Sequence, residues 1–487
     1  MITYIYINGF KSFHEFEMEF TPFTVVAGAN ASGKSNLFDA LMLLVRLTEN
    51  DHIKKAFSKQ QGSIAQQRGN FLQQFTKYGN NEYATELHFI VEMLVNRTVT
   101  DNWGNEASLK YTRLRYELKL ERYTNEIGLE DVRITYEKLE NINSKNDKWI
   151  KIIPAEYLKL WIPKVKTTKQ GFPYLKTEQA KDNSLKITVS PNGIDKEKRL
   201  SLLLKKATST VIGNFKGIEF PYILAVKEEI KNWQFLQLNP TILREPADKS
   251  DVYDSHISPS GKNLAAMLYR LQKEDPYILV EISRKINSFL PNFKKVEVID
   301  DVEKNRYFIK LTDTANKEYP STVLSEGTLR FLALCILEYD DTQTGLLCFE
   351  EPENGIHPFR IKAIAELLKD LSIDFSDEGL PLRQIIVNTH STVLVKEVLE
   401  LYLENSEVSI WLSAIANRNI KIDDNSISQE INITTMFNLI SNNKLGGLFS
   451  KLDKDNQVKM KNRALSKVLK YLETGNYNNI KPKLTYD

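Results

Sequence analysis

At 487 residues the chain is too long for one ordinary hydrophobic core, so two structural regions, or one elaborated domain, are expected. With 42% hydrophobic and 26% charged residues it reads as a folded soluble chain, and its net charge of +2 confines any nucleic-acid surface to a local patch. Two cysteines, Cys335 and Cys348, both within apolar runs, exclude a disulfide framework and a cysteine-based zinc site.

The N-terminus reads directly as a strand, Ile2 to Ile7, with no basic and apolar leader, and no later run approaches membrane-spanning length. A cytoplasmic protein with no membrane partner is expected. A second β-rich run, Phe16 to Ala27, follows the Asn8-Gly9 turn and Phe10-Lys11-Ser12-Phe13. It ends on Gly28-Ala29-Asn30-Ala31-Ser32-Gly33-Lys34-Ser35-Asn36, after which Leu37, Ala40, Leu41, Leu44 and Val45 fall at helical spacing. Residues 51–80 are polar, glutamine-rich and aperiodic, the pattern of an irregular excursion or lid. From Tyr83 to about Leu139 alternation returns, predicting an antiparallel meander with one wet face.

Residues 145–220 carry sixteen lysines or arginines against seven aspartates or glutamates, with Trp149, Tyr157, Trp161, Phe172 and Tyr174 interspersed. Such a stretch could grip a DNA backbone and stack bases; a solvated lysine-rich arm around a small aromatic core is the plainer reading. Helical spacing then runs from Phe220 to Phe235, and a proline-bounded loop spans Leu238 to Pro246. Asp275-Pro276 opens a further helix, and Val296 to Val302 with Arg306 to Leu311 reads as a short hairpin. From Leu324 to Ser391 helices alternate with buried strands, which is α/β winding. One more apolar run, Val408 to Ala414, precedes helical patterns at Ile433 to Leu439 and Asn462 to Leu472. The expected regions are 1–140, a basic insertion at 141–224, a second lobe at 225–405 and a helical tail at 406–487.

Three stretches carry chemistry. Gly28 to Ser35 fits the phosphate-loop pattern G-x-x-x-x-G-K-[ST] between a strand and a helix. Backbone N–H groups across Gly28, Asn30, Ser32, Gly33 and the helix start at Asn36 would surround phosphate oxygens. Lys34 would bring a mobile charge to the β- and γ-phosphates, and Ser35 would ligate Mg²⁺. Leu346-Leu347-Cys348-Phe349 ends in Glu350-Glu351-Pro352-Glu353, a buried strand closed by acids. Glu350 suits the metal and Glu351 the attacking water, with Glu353 less well placed; aspartate is the commoner residue at position 350. Leu324-Ser325-Glu326-Gly327-Thr328-Leu329-Arg330 places Ser325 and Gly327 at a helix start, which alone is equally a capped helix.

Taken in chain order the stretches resemble the motifs of ABC-type ATPases. Leu324 to Leu329 is similar to their signature motif, with Glu326 in place of the first glycine. Glu350-Glu351 resembles their second acidic motif, and Ile385-Ile386-Val387-Asn388-Thr389-His390-Ser391 resembles their switch-histidine strand. Ile5 to Phe13 and the run Glu350-Glu351-Pro352-Glu353-Asn354-Gly355-Ile356-His357-Pro358 resemble the SMC/RecF/OLD-like branch in its compact prokaryotic AAA-family form. Trp233 to Pro246 and Ser260 to Ala265 are similar to a pre-signature segment of that group. The likeness covers residues 1 to about 140 and 225 to 400.

The resemblance implies a split, mixed sheet with helices, the α/β head of an ABC-type P-loop NTPase, with the meander and basic insertion added. It implies ATP and Mg²⁺ as cofactors, and Lys34, Glu351 and His390 as catalytic residues, His390 contacting the γ-phosphate. It further implies a head-to-tail homodimer in which Ser325 and Gly327 complete the partner's site, with Asn354 to His357 near the seam. The lid glutamine is open among Gln66, Gln73 and Gln74. No heptads join the two halves, unlike SMC proteins. Val408 to Ala414 lacks the terminal acid of the nuclease appended in OLD relatives, and Asp453-Lys454-Asp455 follows no buried strand, so no intrinsic nuclease is expected. The expectation is an ATPase subunit controlling a separate effector, such as a nuclease, as in the anti-phage systems Septu or PARIS. A RecF-like DNA-repair ATPase that binds DNA directly is the alternative, and a transport subunit ranks third.

Overall fold

The computed structural model describes residues 1–57, 71–78, 82–143, 147–163, 172–180, 183–193, 199–204, 207–377, 379–404, 407–420, 429–439, 466, 468 and 470–472. In the first half, β1 (Ile2–Asn8), β2 (Phe16–Glu19) and β3 (Phe23–Ala27) lead into α1 (Lys34–Glu49) and the short α2 (Ile53–Ala56). Then come β4 (Glu86–Leu94), β5 (Thr98–Thr100), β6 (Glu106–Ser108), β7 (Arg113–Thr124), β8 (Glu130–Asn141) and α3 (Leu158–Trp161). β9 (Leu175–Gln179), β10 (Leu185–Val189), β11 (Leu200–Leu203), α4 (Val211–Asn214) and α5 (Pro221–Lys231) complete this half.

The second half opens with β12 (Gln234–Leu236), α6 (Pro240–Leu243), β13 (Ala247–Asp248), α7 (Leu264–Glu274) and α8 (Ile278–Phe289). β14 (Phe293–Asp301), β15 (Arg306–Asp313) and β16 (Glu318–Pro320) precede α9 (Glu326–Glu338), β17 (Gly345–Glu350) and α10 (Ile361–Leu371). β18 (Arg383–Thr389), α11 (Thr392–Glu404), β19 (Val408–Ile420) and β20 (Gln429–Asn438) close the described order.

Two large sheets result, and the split α/β head is the observed class. The antiparallel sheet runs β11-β10-β9-β8-β7-β4-β1-β2, and the mixed one runs β12-β17-β18-β3-β19-β20. Strands of the first alternate buried and half-exposed residues, as in β4, because one face is wet. Strands β3, β17 and β18 are buried along almost their whole length because both faces are covered. The mixed sheet divides two cores: Val26, Leu346, Cys348 and Ile386 face the first, whereas Val25, Leu347, Phe349, Ile385 and Val387 face the second. α10 turns Ile361, Ile364, Leu367, Leu368 and Leu371 into the second core, each buried side chain contributing about 1.5–3 kcal/mol. Gln384 stitches the sheets together: its amide donates to the carbonyls of Ile2 (2.8 Å) and Thr21 (2.9 Å) and accepts from the Ile2 N–H (2.9 Å).

Several expectations change. The run Phe16 to Ala27 is two strands in different sheets, broken where Pro22 has no N–H to give a ladder. Residues Ile433 to Leu439 are not helical: Gln429–Asn438 is β20, paired antiparallel with β19 over ten positions, so the tail begins as a hairpin. The described residues of the later patch, 466, 468 and 470–472, are helical.

The basic insertion continues the antiparallel sheet through β9, β10 and β11. Three of its aromatics make inward contacts, in keeping with the plainer reading of a small aromatic core. The Trp149 indole donates to the Phe20 carbonyl (2.7 Å), Trp161 donates to Phe375 O (3.1 Å), and Tyr174 stacks on Tyr222 at 3.8 Å. Among the described residues no helix is long and apolar enough to cross a membrane.

Candidate functional site

Strand β3 runs out at Ala27, and the chain turns through Gly28 to Gly33 into α1. Two residues of the turn are left-handed, Ala31 (φ 63°) and Gly33 (φ 93°). At Gly33 the turn requires glycine: a Cβ there would lie 1.9 Å from Thr434 Oγ1, and a left-handed L-residue costs about 1–2 kcal/mol. Gly33 caps α1 without a side-chain hydrogen bond, and the first turn of the helix carries no acid. The helix therefore presents uncapped N–H groups and its positive end to the turn.

A cavity of about 520 Å³ opens there, lined by Asn30, Ser32, Gly33, Lys34, Ser35 and Asn36 of the loop, with Glu350, Glu351 and Asn388 opposite. These acids arrive because β17 and β18 lie beside β3 in parallel, all ending at the same edge, where ligands of such sheets bind. Lys34 Nζ folds back onto the carbonyls of Gly28 (2.8 Å) and Ala29 (2.9 Å). Burial lowers its pKa, opposed by Glu351, Glu350 and Glu353.

The Ser35 hydroxyl donates to Glu350 Oε1 (3.0 Å) and accepts from Asn388 Nδ2 (3.4 Å). Asn388 Oδ1 is buried with no hydrogen-bond partner. Hydroxyl, carboxylate and amide oxygen are the hard donors that Mg²⁺ prefers. Among the described residues no three His, Cys, Asp or Glu side chains group to hold a metal by themselves. Glu351 has a left-handed backbone (φ 51°), uncommon outside glycine, and its N–H donates to Asn388 O (2.8 Å). Its carboxylate accepts from Asn354 Nδ2 (2.7 Å) and meets His390 Nδ1 at 2.7 Å. Glu353 turns inward, accepting from the Thr389 hydroxyl, and burial raises its pKa.

Of the residues singled out by sequence, Asn30, Ser32 to Asn36, Glu350 and Glu351 line this cavity; Gly28 and His390 do not, Gly28 accepting from Lys34 and His390 meeting it through Glu351. Ser325 and Gly327 do not line this cavity. Ser325 caps α9, its hydroxyl accepting from Thr328 N (3.3 Å), and the residue is exposed. Beside it Arg330 donates to Asn354 O, and a Cβ on Gly327 would lie 3.3 Å from Gly355 O. The signature turn and the Asn354-Gly355 loop thus form one surface. Gln73 is exposed and Gln74 buried, neither in the cavity, while Gln66 and Asp453 to Asp455 lie outside the described residues.

Sequence reasoning missed four lining residues: Ser12, Asn388, Ile415 and Asn432. Ser12 and Asn388 lie within motifs already noted, so a signal existed. Ile415 and Asn432 carry none, being brought in by the β19–β20 hairpin.

Solved structures similar in fold include an SMC head bound to the C-winged helix domain of ScpA. It is 13% identical, with 89% of this chain and 98% of that chain covered and a TM-score of 0.47. The SMC head domain from Thermotoga maritima is 11% identical, covering 90% and 99% at a TM-score of 0.37. An Smc head with an extended coiled coil, bound to the C-terminal domain of ScpA derived from Pyrococcus furiosus, is 13% identical, covering 92% and 98% at 0.41. No curated protein matches the sequence significantly. The family described as "AAA domain, putative AbiEii toxin, Type IV TA system" matches residues 23–396. With its phosphate loop, paired glutamates and switch histidine in the order of SMC/RecF-like ABC-type ATPases, the chain belongs to that AAA-domain family.

Proposed function

We propose that this chain is a Mg²⁺-dependent ATP hydrolase that dimerises head to tail around ATP and controls a separate effector subunit in anti-phage defence. The observation that carries the reading is the gathering of Lys34, the Ser35–Glu350 pair and the Glu351–His390 pair around one cavity at the edge of β3. Lys34, released from two backbone carbonyls, moves to the β- and γ-phosphates. Ser35, Glu350 and Asn388 would hold Mg²⁺, which supplies charge neutralisation on the phosphates. Glu351 orients the attacking water and takes its proton, and His390 fixes the carboxylate in place.

The exposed signature turn, away from its own chain's cavity, supports completion of each site by a second copy. The family's description as a toxin of toxin–antitoxin systems supports a defence role with a partner. Light scattering of Glu351→Gln with ATP and Mg²⁺ tests the reading: it should shift to a dimer that persists, whereas the wild type returns to monomer as ATP is consumed. Unimpaired turnover in that variant contradicts it. Capture of the product of an adjoining effector gene by the ATP-held dimer tests the partner.

A further inference from the structure

The cavity has two opposed walls. On one side of β3 lie β18 and β17, which carry Asn388, Glu350 and Glu351; on the other lie β19 and β20. With a triphosphate held by Lys34 and Ser35 beside Glu350 and Asn388, the second wall is the lining left for the rest of the ligand.

That second wall is one face of a hairpin, made by Ser413 and Ile415 of β19 and Asn432 and Thr434 of β20, with Ile415 directly opposite Thr434. Two of these side chains are already engaged, Ser413 with the phosphate loop and Thr434 with Ser12 of the turn between β1 and β2. Ser413 Oγ donates to Ser32 O (2.8 Å); Thr434 N donates to Ser12 O (2.8 Å), and the Thr434 and Ser12 hydroxyls pair at 2.6 Å. Asn36 Nδ2 also donates to Ser12 Oγ (2.7 Å). The hairpin is thus tied to the loop through Ser413 and to the β1–β2 turn through Thr434, and the remaining two side chains, Ile415 and Asn432, line the cavity.

We infer that Ile415 and Asn432 receive the nucleoside end of the bound nucleotide. Ile415, half-buried, offers an apolar surface to a base or ribose; the exposed Asn432 amide offers both a donor and an acceptor to their polar edges. Together they select for a nucleoside on a triphosphate chain, whereas the loop binds the chain alone. This inference rests on the reading of the cavity as a nucleotide site.

The test compares ATP with inorganic tripolyphosphate, which has no nucleoside, by calorimetric titration of wild type, Asn432→Ala and Ile415→Ala/Asn432→Ala. ATP affinity should fall about threefold to fivefold in the single variant and about tenfold or more in the double, from one lost hydrogen bond and one lost apolar contact. Tripolyphosphate affinity should stay within about twofold of wild type, since phosphate binding by backbone and Lys34 is untouched. Unchanged ATP affinity in both variants overturns the inference. A parallel loss of tripolyphosphate affinity overturns it too, because the hairpin would then act only by holding the loop. The exposed single variant keeps the test open if the double variant misfolds. Wild-type protein that binds neither ligand removes the proposed function itself.

Discussion

His390 Nδ1 and Glu351 Oε1 meet at 2.7 Å across the ends of two adjacent parallel strands, although 39 residues separate them in the chain. The contact joins the residue we propose activates water to the strand proposed to sense the γ-phosphate. Replacing His390 by Ala should lower kcat by about 10²-fold or more while ATP affinity changes by less than about threefold, because the general base loses its orientation and the phosphates keep theirs. Steady-state kinetics alongside direct ATP titration check this. A variant with normal kcat would leave the pair without a role in turnover.

Lys34→Ala should remove ATP binding at micromolar nucleotide, not merely turnover. The side chain is 7% exposed, its burial already disfavours the charge, and its present partners are two carbonyls that phosphate oxygens outbid. Titration with ATP measures it, and tight binding in the variant would contradict the assignment.

Gly33→Ala should destabilise the fold locally and abolish nucleotide binding. The substituted residue would need φ near 93° with its Cβ pressed on Thr434, a combination costing about 2 kcal/mol or more. The companion Gly33→Ala/Thr434→Ala variant, which removes the clashing Oγ1 and Cγ2 but keeps the Thr434 Cβ at 2.8 Å and the strained dihedral, should recover only part of the lost stability in thermal denaturation. Full recovery would show that crowding alone demands the glycine.

Glu137 makes a pH prediction. Fully buried, it accepts from Tyr116 Oη (3.0 Å) and from the N–H groups of Val211 (2.9 Å) and Ile212 (3.2 Å), capping α4. Burial pushes its carboxyl up to about 7. The folded chain keeps this proton to near neutrality, whereas the unfolded chain releases it near the ordinary value of 4.5. The group's stabilisation is therefore full under acidic conditions and is lost as pH rises through about 4.5 to 7. The Tm of wild type relative to Glu137→Gln should fall between pH 5 and pH 8; a difference independent of pH contradicts this.

The phosphate loop, the paired glutamates and the switch strand were legible because each is a contiguous motif at the end of a buried strand. What they share spatially is also implied, since three parallel neighbours must end at one edge. The second wall was not legible. Ile431, Ile433, Met436 and Leu439 fit a helical period about as well as an alternating one, and only pairing with β19 settles the residue stretch as a strand. Trp149 and Trp161 were ambiguous for a related reason: their composition suits a nucleic-acid groove, but carbonyls of Phe20 and Phe375, remote in sequence, claim their indoles. Pro22 was the one local cue to a strand break, and the apolar run around it concealed it.

The central claim is that one ATP site is built from two chains, the loop of one facing Ser325 of the other. Mixing Lys34→Ala with Ser325→Ala tests it most directly. Each variant alone has every site damaged, whereas a mixed dimer contains one site with both the loop and the signature intact. After subunit exchange at equal ratio, ATP hydrolysis should rise to about one quarter of the wild-type rate, since half the dimers are mixed and each has one of two sites working. A mixture no more active than the average of the two variants alone would contradict the shared site.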